Sequence, residues 1–236
     1  LKDDGSVVTW GESSYGGDSS SVASELSSGV STIYSTEGVW ARAFAALKND
    51  GSVVTWGDSN YGGDSSSVAS ELSSGVSSIY STEYAFAALK NDGSVVTWGT
   101  SDYGGDSGLV ASELSSGVST IYSNRHAFAA LKDDGSVVTW GRDVYGGDSS
   151  SVASELSSGV SSIYSTEKAF AALKADGSVV TWGASGDRDD FEGGGDSSSV
   201  ASELSSGVTS ITSNRTAFAA LILDTDRDGV VDSRDA

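Results

Sequence analysis

One octet, Asp-Gly-Ser-Val-Val-Thr-Trp-Gly, occurs five times in the 236 residues. The copies start at Asp4, Asp50, Asp92, Asp134 and Asp176, with three successive intervals of 42 residues after a first interval of 46. The blocks Ala-Phe-Ala-Ala-Leu and Ser-Glu-Leu-Ser-Ser-Gly-Val also occur five times each. A period of about 40–45 residues with short β-type segments is the signature of small propellers. The sequence therefore predicts an all-β propeller of five 42-residue repeats.

Each copy of the repeat predicts three short strands. In the second copy, Ile79-Tyr80 lies in a first strand and Ala85–Lys90 forms a second, which has no polar residue until its end. Such a strand is expected to be covered on both faces. Asn91-Asp92-Gly93 predicts a tight turn, and Ser94–Trp98 predicts a third, β-branched and aromatic strand. Val68–Leu72 fits either an outer strand or a helical turn.

The two ends of the repeat array are complementary in sequence. Leu1-Lys2 correspond to the last residues of an Ala-Phe-Ala-Ala-Leu-Lys strand, and the fifth copy of that block stands at Ala217–Leu221. We therefore expect strands from the two ends to complete one blade and close the ring, which removes open sheet edges. The alternative is a β-solenoid, which needs caps at both ends. The predicted domains are a propeller at 1–223 and an Asp-rich loop at 224–236.

The segment Leu89–Gly99, Leu-Lys-Asn-Asp-Gly-Ser-Val-Val-Thr-Trp-Gly, resembles the RCC1-like β-propeller repeat, of a bacterial, extracellular type. The resemblance covers residues 1 to about 223 and implies propeller blades. Two family signatures differ here, at Tyr61–Asp64 and at Thr82–Phe86. The family's nucleotide-exchange and chromatin roles are not implied, because no residues match them.

The copies differ mainly at two places, after Trp-Gly and before the Phe strand. In an antiparallel meander these two places share one end of the blade. Six of the 13 basic residues lie there beside aromatic residues, as is typical of protein binding faces. The predicted ligand-binding face consists of Trp40, Arg42, Tyr84, Arg125, His126, Arg142, Lys168, Arg188, Phe191 and Arg215. The alternative is neutral drift, because exposed loop tips tolerate change.

Residues Asp224–Asp235 read Asp-Thr-Asp-Arg-Asp-Gly-Val-Val-Asp-Ser-Arg-Asp. Carboxylates at loop positions 1, 3, 5, 9 and 12, with Gly229 at position 6, favour calcium. The segment resembles dockerin-like or thrombospondin type 3-like calcium loops. That resemblance implies the ligands Asp224, Asp226, Asp228, Val230 (through its carbonyl), Asp232 and Asp235. The alternative is an unstructured acidic tail.

Net charge, the lack of a long apolar run and the scarcity of catalytic groups argue against nucleic-acid binding, membrane insertion and catalysis. A formal charge of −20 opposes binding to nucleic acid, and no run is long enough for membrane insertion. Catalysis is not expected, because the only histidine, His126, has no nucleophile spaced around it. We expect a non-enzymatic, extracellular or cell-surface binding module for a glycan or a protein. The alternative is a structural subunit that binds copies of itself in a fibre or large adhesin.

The recurring acids have more ordinary roles. Each copy contains Gly-Gly-Asp, and such an aspartate commonly caps a turn by accepting hydrogen bonds from nearby backbone N–H groups. Since five of them recur around the array, a ring of cation sites is the alternative. The recurring glutamates of Ser-Glu-Leu, such as Glu71, are expected to be solvated.

Overall fold

The computed structural model describes residues 2–36, 42–185 and 193–223. Within these ranges the regular structure is all-β, with short 3₁₀ turns between the sheets. Four sheets have three antiparallel strands in sequence order, and a fifth has two. The strands are β1 (Val30–Ser35), β2 (Ala43–Lys48), β3 (Val53–Gly57), β4 (Val76–Ser81), β5 (Ala85–Lys90), β6 (Val95–Gly99), β7 (Val118–Ser123), β8 (Ala127–Lys132), β9 (Val137–Gly141), β10 (Val160–Ser165), β11 (Ala169–Lys174), β12 (Val179–Gly183), β13 (Val208–Ser213) and β14 (Phe218–Ile222).

Single-turn 3₁₀ helices connect each sheet to the next. The segment around Val68–Leu72, which fitted a strand or a helical turn, is helical. The aspartate of Gly-Gly-Asp caps these turns, as predicted: Asp64 accepts a 2.9 Å hydrogen bond from the Ser66 N–H, and this bond lowers the pKa of its carboxyl group. The turns are Ser13–Tyr15, Ser20–Val22, Glu25–Ser27, Ser59–Tyr61, Ser66–Val68, Glu71–Ser73, Ser101–Tyr103, Gly108–Val110, Glu113–Ser115, Asp143–Tyr145, Ser150–Val152, Glu155–Ser157 and Ser198–Val200.

Consecutive sheets pack face to face. The first strands of neighbouring sheets contact each other, from β1 to β4 and onward to β13, so these strands form the inner edge of the array. Ala85, Ala87 and Leu89 of one sheet pack against Phe128 and Trp140 of the next. Because alanine is small, the two sheets approach closely, and the middle strand is buried on both faces as its sequence predicts.

A glycine at each hairpin turn allows close contact between repeats. Gly93 has φ of +77°, and a Cβ there would lie 2.8 Å from the backbone nitrogen of Gly117 in the next repeat. The Gly93 carbonyl accepts a 3.0 Å hydrogen bond from the Val118 N–H. The Asp-Gly turn is therefore both a hairpin turn and the contact between neighbouring sheets.

The prediction of an all-β propeller is confirmed by this arrangement of repeated three-stranded antiparallel sheets. A β-solenoid is wrong, because every described sheet is built from one repeat and the strands do not run between repeats. Each three-stranded sheet is a blade, packed between its neighbours as propeller blades are.

Closure of the ring by the two ends is not confirmed. Among the described residues β14 pairs only with β13, and residues 5–10 form no strand. Instead, the Val7 N–H donates to the Leu26 carbonyl and the Gly5 carbonyl accepts from the Val30 N–H, both at 3.0 Å. Residues 2–10 therefore lie against the first blade and do not complete the last one.

Candidate binding face

The two variable segments of each repeat meet at one end of the blade. The residue that follows Trp-Gly donates its backbone N–H to the carbonyl of the residue that precedes Ala-Phe. These bonds are Asp58 to Arg42 at 2.8 Å, Thr100 to Tyr84 at 3.0 Å and Arg142 to His126 at 3.0 Å. The Asp-Gly turns lie at the opposite end of the same strands.

A threonine or an asparagine fixes this end of each blade. The Thr82 Oγ1 accepts a hydrogen bond from the Ala85 N–H at 3.1 Å and donates to the Tyr103 carbonyl at 3.0 Å. In the next repeat Asn124 makes the two equivalent hydrogen bonds. Its Oδ1 accepts from the Ala127 N–H at 2.9 Å, and its Nδ2 donates to the Tyr145 carbonyl at 2.6 Å. Tyr103 and Tyr145 are therefore each held at a fixed place beside the variable residue.

These tyrosines and the variable residues form a continuous row, which we call the aromatic row. Its members are Tyr15, Arg42, Tyr61, Tyr84, Tyr103, His126, Tyr145 and Lys168. A tyrosine of Tyr-Gly-Gly alternates with the residue before Ala-Phe, so that each variable side chain stands beside or between tyrosines. The Tyr84 ring, for example, lies 4.8 Å from that of Tyr61 and 4.2 Å from that of Tyr103.

The cations of the aromatic row contact ring faces. The Arg42 guanidinium lies 4.4 Å from the Tyr15 ring centre and 5.0 Å from that of Tyr61. At the other end, the Lys168 ammonium lies 5.8 Å from the Tyr145 ring. Cation–π contacts of this kind contribute about 0.5–2 kcal/mol each, depending on how far they are removed from water.

Arg142 is the exposed basic residue next to the middle of the row. Its guanidinium lies 5.5 Å from the ring centres of Tyr103 and Tyr145, and its Nη1 donates a 2.9 Å hydrogen bond to the Tyr103 hydroxyl. These contacts orient the Arg142 side chain. Because Arg142 is exposed, it is also accessible to a ligand.

Beneath the row, a ladder of alternating charges runs from repeat to repeat, which we call the charge ladder. Its members are Glu83, Arg125, Glu167 and Arg215. The backbone N–H of each of the first three donates to the carbonyl of the next, at 3.0, 3.2 and 3.0 Å. Their side chains pair as well: Arg125 Nε lies 2.5 Å from the Glu83 carboxylate and Arg215 Nε lies 2.9 Å from the Glu167 carboxylate.

The first of these ion pairs is buried. The Glu83 side chain is 0% exposed and contacts both Arg125 and the His126 Nε2, the latter at 3.4 Å. Burial, together with the charge of Arg125, lowers the pKa of His126 to about 4. The imidazole in the row is therefore neutral at physiological pH, and the Glu83 charge is balanced by Arg125.

The structure divides the predicted face into two layers. Arg42, Tyr84, His126, Arg142 and Lys168 come together in or beside the aromatic row. Arg125 and Arg215 belong to the charge ladder. Trp40, Arg188 and Phe191 lie outside the described residues, as do all the predicted calcium ligands from Asp224 to Asp235.

Sequence reasoning missed two parts of this face. The four tyrosines of Tyr-Gly-Gly were not included in the predicted face, and Glu83 and Glu167 were not recognised as partners of the arginines. A signal for the second part is present in the sequence: the residues before the variable position read Thr-Glu or Asn-Arg, and Thr82-Glu83 is followed one repeat later by Asn124-Arg125. Side chains of opposite charge at equivalent positions of stacked repeats indicate an ion pair.

Neither a membrane-spanning helix nor a cluster of metal-ligating side chains is present among the described residues. No helix among them is long and apolar enough to cross a bilayer. No group of three or more His, Cys, Asp or Glu side chains in the described ranges is arranged to hold a metal ion.

The sequence matches no family model, and no curated protein matches it significantly. Solved structures do match in fold. Yeast RCC1 (Prp20) bound to Kap60 is 18% identical, with 83% of this chain and 54% of that chain covered and a TM-score of 0.48. A second structure of Prp20p from Saccharomyces cerevisiae, described with its binding to Gsp1p and histones, is 18% identical over 78% of this chain and 53% of that one, with a TM-score of 0.45.

A plant receptor is also similar. The ectodomain of the Physcomitrella patens receptor kinase CR4 is 14% identical, with 83% of this chain and 48% of that chain covered and a TM-score of 0.45. The chain thus spans about half the length of these proteins. The likenesses concern the fold and say nothing about the ligands of this chain.

Proposed function

We propose that the chain is a non-enzymatic, extracellular or cell-surface binding module whose ligand, a glycan or a protein, contacts the aromatic row. The observation that carries the proposal is the row itself, which spans four blades with aromatic and basic side chains in fixed positions. Aromatic residues and arginine supply most of the binding energy at protein interfaces, and rigid placement lowers the entropy cost of binding.

The charges around the row favour an uncharged, hydroxyl-rich ligand over a strongly anionic one. Arg42 faces Asp58 at 3.9 Å, and the arginines of the charge ladder are paired with glutamates. The whole chain carries −20, so an anionic polymer is repelled at long range. The tyrosine rings and the Arg142 guanidinium instead offer hydrogen bonds and apolar surface, which suit a sugar chain or a polar protein surface.

The test is a glycan array, together with a panel of purified cell-surface proteins, followed by calorimetric titration of each ligand found. The informative variant is Arg142→Ala, since the equivalent position of the next repeat is already Ala184 and the blade tolerates it. We expect affinity to fall at least tenfold. The matched control is Asn91→Ala at the opposite end of the blade, where another repeat has Ala175. Equal affinities for wild type and both variants would contradict the proposal.

Calcium is a further proposal, supported by the spacing of carboxylates in residues 224–236. Asp224, Asp226, Asp228, Asp232 and Asp235 would supply the hard oxygen ligands that calcium prefers. Running the same titrations with and without calcium, and titrating calcium alone, tests this role separately from the aromatic row.

A second candidate function is a structural subunit that binds copies of itself. The observation that favours it is the near-identity of the repeats, whose consecutive blades pack through one repeated junction. Light scattering over a range of protein concentrations tests it, because a subunit of an assembly increases in mass and a monomeric module does not.

A further inference from the structure

An open groove of about 770 Å³ lies along the outer strand of the blade formed by β7, β8 and β9. We call it the outer groove. Strand β9 pairs with β8 on one side only, and its residues line the groove together with the connections before and after the blade. The lining residues lie between Ser101 and Ala153, in the middle of the described range 42–185. The volume is typical of ligand-binding pockets, which have about 300–1,000 Å³.

Leu109 lines the outer groove and is fully exposed, with a relative exposure of 103%. The four equivalent residues of the other repeats, at 21, 67, 151 and 199, are all serine. The fold therefore does not require leucine at this position, and packing within the chain does not explain it. Val110, Val137 and Val138 extend the apolar lining beside Leu109. Apolar surface rimmed by polar residues is typical of an interaction site.

Two acidic residues of the outer groove are also specific to their repeats. Asp102 and Asp143 follow Trp-Gly in consecutive repeats, and both are exposed. Together with Leu109, three side chains that depart from the other copies meet at one groove. In the other repeats that align here without an insert, the equivalents are Ser14, Asn60 and Val144 for Asp102 and serines at 13, 59 and 101 for Asp143.

Every charged residue that lines the outer groove, within the described ranges, is acidic. The acidic lining residues are Asp102, Asp106, Glu113, Asp143 and Asp148. Asp102 and Asp143 form no ion pair with a described residue. Arg142, next to Asp143 in the chain, contacts Tyr103 and Tyr145 of the aromatic row. The groove therefore has a negative charge that is complementary to a cationic ligand.

We propose that the outer groove binds a lysine- or arginine-rich peptide segment of a partner protein, with an apolar side chain of that segment on Leu109. The basic side chains of the segment lie near Asp102 and Asp143. The charge of −20 on the whole chain attracts such a segment at long range. This surface is distinct from the aromatic row and goes beyond the function proposed above.

The apolar lining favours a peptide over a metal ion or a small polyamine. No group of three or more acidic side chains in the described ranges is arranged to hold a metal ion. Neither a metal ion nor a polyamine supplies a side chain that covers Leu109. A peptide in which basic and apolar residues alternate supplies both kinds of contact along one groove.

The experiment is a fluorescence anisotropy titration with a labelled peptide of sequence Lys-Leu-Lys-Leu-Lys-Leu-Lys. Each variant carries residues that other repeats already have, so the blade tolerates them. We expect Leu109→Ser to weaken binding about fivefold, because the apolar contact is lost. The double variant Asp102→Asn with Asp143→Ser should weaken it about tenfold at low salt, because two attractive charges are removed.

The matched control removes two charges far from the groove. It is the double variant Asp3→Asn with Asp133→Asn, at a position where two other repeats have asparagine, Asn49 and Asn91. These residues belong to the Asp-Gly turns, and we expect their loss to change the affinity by less than about twofold, because exposed charges at a distance are screened.

Three results would overturn the proposal. One is the absence of binding up to about 1 mM peptide. Another is an equal affinity of wild type and Leu109→Ser, or of the double variant in the groove and its control, because the peptide would then bind through the net charge alone. The third is equally tight binding of a peptide with serine in place of leucine, since charge without apolar contact would then be recognised.

Discussion

The interior strand β8 and the terminal strand β14 share the sequence Phe-Ala-Ala-Leu and have opposite surroundings. In β8 the apolar residues are all buried, with Phe128 at 0% exposure. In β14, which is flanked by β13 only among the described residues, Phe218 is half-buried and the next three residues are exposed. The comparison teaches that packing between neighbouring blades determines which residues are buried. The same four residues are buried in β8 and largely exposed in β14.

The largest expected effect comes from the phenylalanines. Phe128→Ala removes a fully buried ring that stacks on Trp140 at 5.1 Å, and we expect the free energy of unfolding to fall by about 3–5 kcal/mol. Phe218→Ala should cost about 1 kcal/mol, because its ring is half-buried. Urea unfolding followed by tryptophan fluorescence, at a concentration where the chain is monomeric, measures both. Equal losses would mean that β14 is covered in solution.

The charge ladder gives the next comparison. Arg125→Ala leaves the buried Glu83 carboxylate without its partner, and we expect a loss of about 3 kcal/mol in the free energy of unfolding. Arg215→Ala should cost no more than about 1 kcal/mol, since that side chain is 74% exposed. The same urea experiment applies. A restoration of stability by adding Glu83→Gln to Arg125→Ala would confirm that the unpaired charge is the cause, and no restoration would contradict it.

The last comparison is of pH dependence and concerns the position before Ala-Phe, which is His126 in the interior and Thr216 in the last repeat. The folded-state pKa of His126 is about 4, below the ordinary value of 6.5. Between these values the unfolded chain binds more protons, so folding stability is complete above about pH 6.5 and is lost as the pH falls toward 4. Unfolding measured across that range should show a shallower loss in His126→Tyr than in wild type, and identical slopes would contradict the assignment.

Much of the fold was predictable from the repeat. The period, the strand Ala85–Lys90 and the Asp-Gly turn follow from local composition and spacing, and the pairing of both variable segments at one end follows from meander geometry. Closure was not predictable, because it depends on the rotation between blades, which is set by side-chain packing at every junction and has no local signature.

The candidate site was predictable only in part. The variable residues Tyr84 and His126 were identified, but their tyrosine neighbours were not. The face was predicted from positions that differ between copies, and these tyrosines recur in four Tyr-Gly-Gly motifs. The burial of Glu83 was likewise hidden, since a glutamate reads as exposed unless the arginine 42 residues later is recognised as its partner.

The alternation within the aromatic row has a consequence for how such a chain diversifies. The Tyr-Gly-Gly tyrosines make the frame, and one position per repeat between or beside them carries Arg42, Tyr84, His126 or Lys168 on an otherwise nearly unchanged blade. A single substitution in one repeat therefore alters the chemistry of the surface at one known point and leaves the scaffold alone. Adding a repeat would lengthen the aromatic row by one variable residue, and exchanging a repeat would change the side chain at one position of the row.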